Sequence, residues 1–336
     1  MDAGTPEWLA QVTEPVLDPD RPIVDPHHHL WPPDGFIGYW LDDLAADTGS
    51  GHNITATVFV ECSAGYRTDG PAHLRPVGET EFVAAAAAEL TERLPDAPPI
   101  GAIVAHADLA LGALLDEVLD AHEEAGRGLF RGIRDALASA VEPAAMMIPG
   151  GAAPDRYADT AFRDGLRRLG DRDIPYDTWL YHYQLADFAK LAGSVPDTLM
   201  VLDHFGTPVG VGRFAGRHDE LFTQWQADIA SVAANDNVVA KLGGLAMPDN
   251  GFGWNLAEAP PSSDEFVAAQ QRYYHHAIEC FGPQRCMFES NFPVDKMSLS
   301  YTVLWNGLKK IAASYSETEQ DAMFSGTARR VYRLPD

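Results

Sequence analysis

Residues 23–33 read IVDPHHHLWPP, a short apolar run followed by three consecutive histidines, an aromatic and two prolines. Alternate side chains of a strand share a face, so His27 and His29 point one way and His28 the other. That makes His27 and His29 a candidate ligand pair at the C-terminal end of a strand. The same spacing also suits hydrogen-bonded core histidines, and the rest of the chain has to decide between the two.

Outward from this stretch, short β-rich runs alternate with longer amphipathic segments. The runs are PIVDPHHH, TATVFVE, PIGAIVAH, LFRGIR, DTWLYH, TLMVLDH, NVVAKL and RCMFES. Between them lie ETEFVAAAAAELTERL, ALLDEVLDAHEEAG, QLADFAKLAG, DELFTQWQADIASVAA and SDEFVAAQQRYYHHAIECFG, each with apolar residues at helical spacing. This is the pattern of parallel strands joined by helices, and eight strands close a barrel. The expectation is an α/β chain: one (β/α)8 TIM barrel over residues 23–336, preceded by an N-terminal extension, 1–22. Three connections, 33–53, 136–156 and 243–261, are longer than a minimal βα loop. All follow strands, which places them on the C-terminal face, where this fold builds its sites.

Composition narrows the partners. With 46% hydrophobic and 10% aromatic residues the chain can bury a large core. The 49 acidic against 24 basic residues give a formal charge of -25, which repels phosphate backbones and anionic lipid. Nucleic acid and membrane are therefore set aside in favour of a small molecule, and a homo-oligomer is compatible with the sequence. The acidic N-terminus has no apolar signal core and no window approaches eighteen apolar residues, so a soluble, cytoplasmic protein is expected. Cys62, Cys280 and Cys286 form no CxxC pair, which argues against a disulfide framework or a thiolate zinc site.

The C-terminal strand ends are where a barrel's chemistry should sit, and here they are polar. They carry His27 and His29, Glu61, His106, Arg134, His182, Asp203 with His204, Lys241, and Glu289 with Asn291. A purely structural rim would present Val, Ile and Leu. Arg134 and Lys241 suit a grip on a substrate carboxylate, although Asp135 offers Arg134 a local partner. Glu61 suits the orienting of a ligand histidine. His106 fits a ligand contact or a hydrogen bond to a backbone carbonyl. Trp31, Tyr39, Trp40, Phe252 and Trp254 in the rim loops suit a cyclic substrate.

The chain also resembles a known family. DPHHHLW is similar to the strand-1 opening of the amidohydrolase superfamily, in particular its family 2, the lactonase and decarboxylase branch. DHFGTP at 203–208, KLGG at 241–244, ESNFPVD at 289–295 and the closing FSGTARRVYRL at 324–334 resemble that branch's later motifs in order. The resemblance implies one divalent metal, zinc or manganese, held by His27, His29 and His182, with His204 facing substrate; the branch includes metal-free lactonases, so operation without metal is the alternative. One departure is Asn291, which stands where the family has an aspartate and cannot take up a proton near neutral pH. Asn291 would then serve as a hydrogen-bond partner through its amide and proton transfer would fall to His204 or Asp295, while in a decarboxylase His204 or Asp203 would be the acid. The expected activity is the opening of a lactone or related cyclic ester bearing a carboxylate, recognised by Arg134 and Lys241 with Glu61, His106 and Trp31 in the substrate site. The rivals are a metal-dependent decarboxylase of an aromatic or muconate-type acid and a barrel that binds a small ligand without chemistry.

Overall fold

The computed structural model describes residues 2–335. Eight strands run in parallel in the order of the chain: β1 (Ile23–His28), β2 (Ile54–Val60), β3 (Ile100–His106), β4 (Phe130–Arg134), β5 (Tyr176–Thr178), β6 (Met200–Leu202), β7 (Val238–Leu242) and β8 (Cys286–Phe288). The ring is joined at its seam just past the strand ends. There His29 N–H donates to Phe292 O at 2.8 Å and Asn291 N–H donates to His27 O at 3.0 Å. This is the (β/α)8 barrel expected.

Two apolar layers follow from strand alternation. Val24, Val58, Val60, Val104, Val201 and Val239 point inwards and pack with Tyr332 and Leu334, so the C-terminal segment plugs the barrel interior. Their neighbours Phe59, Ile103, Ile133, Tyr176, Leu202 and Phe288 point outwards into the larger layer beneath the helices. The alanine run at 84–88 belongs to this packing: Ala84, Ala86 and Ala87 are buried on one face of the helix Val77–Arg93. Helices also form at Leu41–Thr48, Thr160–Asp171 and Tyr301–Ala312, which periodicity had not singled out. Residues before β1 pack on the barrel as well. Trp8 is buried and its indole N–H donates to Ala257 O at 3.2 Å, while Leu17 N–H donates to the Asn306 side chain at 2.9 Å.

β5 is the element whose extent departs from expectation. DTWLYH reads as a strand ending on His182, but the strand stops at Thr178 and His182 opens a 3-10 turn. Trp179 and Tyr181 supply the apolar character of a strand while packing instead with Phe214 and Val209 in a small cluster on the rim. No described helix is long and apolar enough to cross a membrane.

Candidate active site

The floor of the barrel mouth is a layer of buried charge. Lys241 and its partners Asp177 and Asp203 have no exposed side-chain surface. The Lys241 ammonium donates to Asp177 Oδ2 at 2.7 Å and lies 3.3 Å from Asp203 Oδ1. Tyr332, from the C-terminal plug, donates its hydroxyl to Asp177 Oδ2 at 2.6 Å. Arg134, at the end of β4, donates from Nε to Glu61 Oε1 at 2.8 Å, from Nη2 to Glu61 O at 2.5 Å and from Nη1 to Asp203 Oδ2 at 3.4 Å. Burial works against both cations, yet the carboxylates around them outweigh it and hold each one's pKa above its ordinary value. Burial likewise raises Asp203, but Lys241, His27 and His204 drive it well below the usual carboxylate range.

Above this layer stand the imidazoles and Glu289. His204 Nδ1 donates to Glu289 Oε1 at 2.7 Å, and His27 Nδ1 lies 3.0 Å from Glu289 Oε2. Burial pushes the Glu289 carboxyl up, but the two histidines prevail and bring it down to about 2. The same pairing raises His204 despite its burial, whereas burial together with the Lys241 charge lowers His27. Local backbone makes this approach feasible. His204 and Phe205 adopt left-handed φ of 54° and 58°, a costly conformation for non-glycine residues. Gly244, at φ 69°, leaves room for the ring, since a Cβ there would lie 2.4 Å from His204 Nδ1. A Cβ at Gly243 would lie 2.4 Å from Glu289 Cγ, so the two glycines of KLGG clear space for the two side chains of the cluster.

This donor set fits a divalent cation. His27, His204 and Glu289 each offer a ligand atom, and these lie within 4.8 Å of one another, all buried. Glu289 Oε2 is a buried carboxylate oxygen without a hydrogen-bond partner, a costly state unless a cation faces it; Asp203 Oδ1, also without one, already has the Lys241 ammonium 3.3 Å away. His29 extends the set: its Nε2 lies 3.3 Å from His27 Nε2, while its Nδ1 faces Val60 O at 2.8 Å. With the Nδ1 hydrogen given to that carbonyl, His29 Nε2 is a lone pair. Formal charge points the same way. Glu61, Asp177, Asp203 and Glu289 against Arg134 and Lys241 leave two negative charges in excess, the number one divalent ion cancels.

The cavity above the floor has a volume of about 330 Å³ and meets it at His29, Glu61, Arg134, His204 and Asn291. Asn291 sits in the left-handed region at φ 55°, and its amide N–H donates to Asp295 Oδ1 at 2.9 Å. Asp295 is fully buried and also accepts from Ala246 N–H at 3.0 Å; burial raises its pKa to about 7, against the lowering pull of Asn291 and His204. Trp31 lines the cavity, with its ring 5.3 Å from that of His29.

Other expected site residues lie elsewhere. His182 is outside both the donor cluster and the cavity lining. Its Nδ1 accepts from Val209 N–H at 3.1 Å and its ring packs edge-on against Tyr183 and Phe214. His106 Nδ1 faces Arg134 O at 3.0 Å and its ring stacks on Tyr66, the backbone-bonded alternative. Lys241 is sealed beneath the floor, so it braces carboxylates of the protein and has no surface to offer a substrate carboxylate. Asp135 pairs with Arg156 at 2.6 Å, leaving Arg134 to Glu61 and Asp203. Cys62 lines the cavity, where burial pushes its thiol well above the ordinary range. Asp177 was missed altogether. Its signal lay in the alternation about Tyr176, which turns Asp177 inwards opposite Arg134 in the β4–β5 register.

Residues 24–334 match the amidohydrolase family model, and the chain belongs to that family. A protein of Sinorhizobium fredii named y4mH, described as uncharacterized, is 30% identical over 94% of this chain and 99% of its own length. The L-fucono-1,5-lactonase of Burkholderia multivorans is 32% identical over 53% of this chain and 57% of its own. A solved amidohydrolase of Burkholderia multivorans with bound HEPES, 25% identical, matches with a TM-score of 0.68 over 93% of this chain and 99% of its own. A second crystal form of it, at a TM-score of 0.67, has bound zinc. The chain is an enzyme of the hydrolase type.

Proposed function

We propose that this amidohydrolase opens a lactone or related cyclic ester, with one divalent metal, zinc or manganese, at the floor of the cavity. The observation that carries the reading is the buried cluster of His27, His204 and Glu289, with Glu289 Oε2 left without a hydrogen-bond partner. These three residues, with His29 alongside, would hold the ion. When bound, a divalent metal supplies a water acidic enough to act as hydroxide near neutral pH and polarises a carbonyl. The zinc-bound relative and the relative that is a lactonase support the assignment.

The chain's own residues prepare the reacting volume. Glu289 orients His204 and His27 from below, and Arg134 ties Glu61 to Asp203, so the polar floor is rigid before substrate arrives. Asn291 has its amide N–H committed to Asp295, so its carbonyl oxygen is free to accept a hydrogen bond from an attacking water. Asp295, pushed up to about 7 by burial, lies behind the cavity wall and would act through Asn291, whose amide it holds in place. Acid release from a panel of five- and six-membered lactones, followed at constant pH with and without a chelator, tests the proposal. Chelator-sensitive ring opening is expected. Carbon dioxide release from aromatic acids with no lactone turnover would overturn it.

A further inference from the structure

The cavity has two kinds of surface, and neither suits a charged or heavily hydroxylated guest. Each cation of the floor is already engaged by two carboxylates: Arg134 by Glu61 and Asp203, Lys241 by Asp177 and Asp203. Only Arg134 of the two reaches the cavity, and there a substrate carboxylate would have to displace Glu61 from a 2.8 Å hydrogen bond. Exchanging one buried partner for another gains little, and it leaves the displaced Glu61 carboxylate beside the guest.

The walls are apolar: Trp31, Phe36, Ile148, Trp179, Met247 and Val294. Two of the polar groups on this wall are already engaged. The indole N–H of Trp179 donates to Thr207 Oγ1 at 3.0 Å, and Ile148 N–H donates to Asp249 Oδ2 at 2.9 Å. Asp249 also accepts from Met147 N–H at 2.7 Å, so one carboxylate pins loop 136–156 onto loop 243–261 and fixes this wall in place. Ring hydroxyls pressed against Trp179 and Ile148 would lose water without gaining partners there. Phe36 stands at the lip with its ring edge-on to Trp31, 5.9 Å between centroids, and 66% exposed, an apolar surface that a ligand would cover. A volume of about 330 Å³ is at the small end for ligand sites, enough for one ring and a short substituent.

We infer that the ring opened here is uncharged and apolar-bodied, a monocyclic lactone with an alkyl or aryl substituent seated between Trp31, Trp179 and Ile148. The inference rests on the proposed lactone hydrolysis and specifies its substrate class. It departs from the carboxylated substrate expected from the sequence, because the cations that suggested a carboxylate are used up inside the protein.

Matched lactones differing only in the substituent provide the test. The alkyl- or aryl-substituted ring should exceed the carboxylated and the polyhydroxylated ring in kcat/KM by roughly tenfold to a hundredfold, the discrimination a hydrophobic pocket commonly gives. Equal or better turnover of a carboxylated or polyhydroxylated ring would overturn the inference. Ile148→Lys places a cation on the wall and should shift the ratio at least about tenfold towards the carboxylated ring; an unchanged ratio counts against the proposed seat. Binding of the corresponding unreactive lactams, read by quenching of tryptophan fluorescence, separates this inference from the activity it rests on. The same preference for alkyl or aryl lactams with no lactone hydrolysed would refute the hydrolysis and leave the specificity standing. Tighter binding of the carboxylated lactam would refute the specificity.

Discussion

The floor and the walls of the cavity are built on opposite principles. The floor concentrates titratable groups from seven of the eight strand ends and braces each charge with another, while Asp177, Asp203 and Glu289 each keep one oxygen without a hydrogen-bond partner. The walls come in part from the long loops, through Phe36, Ile148 and Met247, and in part from Trp31, Trp179 and Val294 just past β1, β5 and β8, and they carry shape with little charge. Burial of opposed charges costs desolvation, and only close mutual pairing offsets it, so the floor is intolerant of single changes. Wall residues make dispersive contacts that tolerate substitution and set which ring fits. On the proposed function, reactivity and specificity sit in separate parts of one site.

The sharpest way to break this contrast is to remove one floor charge. Lys241→Met leaves Asp177 and Asp203 buried without their shared cation, and a loss of about 3–5 kcal/mol in unfolding free energy is expected in urea titrations. A loss below about 1 kcal/mol would mean that the floor is not held by charge pairing. Next in size is Glu289→Gln, which keeps the shape but removes the charge between His27 and His204. Metal content should fall together with a drop of roughly a hundredfold in kcat/KM, and retention of both would remove Glu289 from the centre.

Asp295→Asn sharpens the comparison through pH. The folded carboxyl titrates at about 7 against an ordinary 3.8, so between those values the folded state keeps a proton that the unfolded chain has lost. Stability must then decline as pH rises through that window. Thermal midpoints at pH 5 and pH 8 should differ less in the variant than in wild type; an equal difference would place the proton elsewhere. The smallest effects belong outside the floor. His182→Ala should retain its metal, since that ring caps Val209 and packs on Phe214, and loss of the metal would restore His182 as a ligand. Phe36→Ala should change stability by no more than about 0.5 kcal/mol while weakening alkyl-ring binding; a large stability loss would make Phe36 part of the fold's core.

The barrel was legible because strand and helix periods alternate cleanly along the chain. The floor was legible as a list of polar strand ends, but its pairing was not. Which carboxylate meets Arg134 depends on curvature that brings β2, β4 and β6 together, and local sequence shows only Asp135 beside it. His182 misled because Trp179 to Tyr181 have strand-like character while making rim contacts, so parity counted from the end of that run lands on the wrong residue. Counted from Tyr176, the same parity selects Asp177. Glu289 was overshadowed by the motif that draws attention to Asn291, although it directly follows β8 and shares the inward parity of Met287.

The account turns on whether this cluster holds a metal that the reaction needs. Elemental analysis of wild type and His27→Ala, both purified without chelator and assayed on the same lactone, addresses that directly. About one equivalent of a divalent metal in wild type, absent from the variant along with turnover, is the expected result. Wild-type protein free of metal, opening the lactone at full rate and indifferent to chelators, would contradict it.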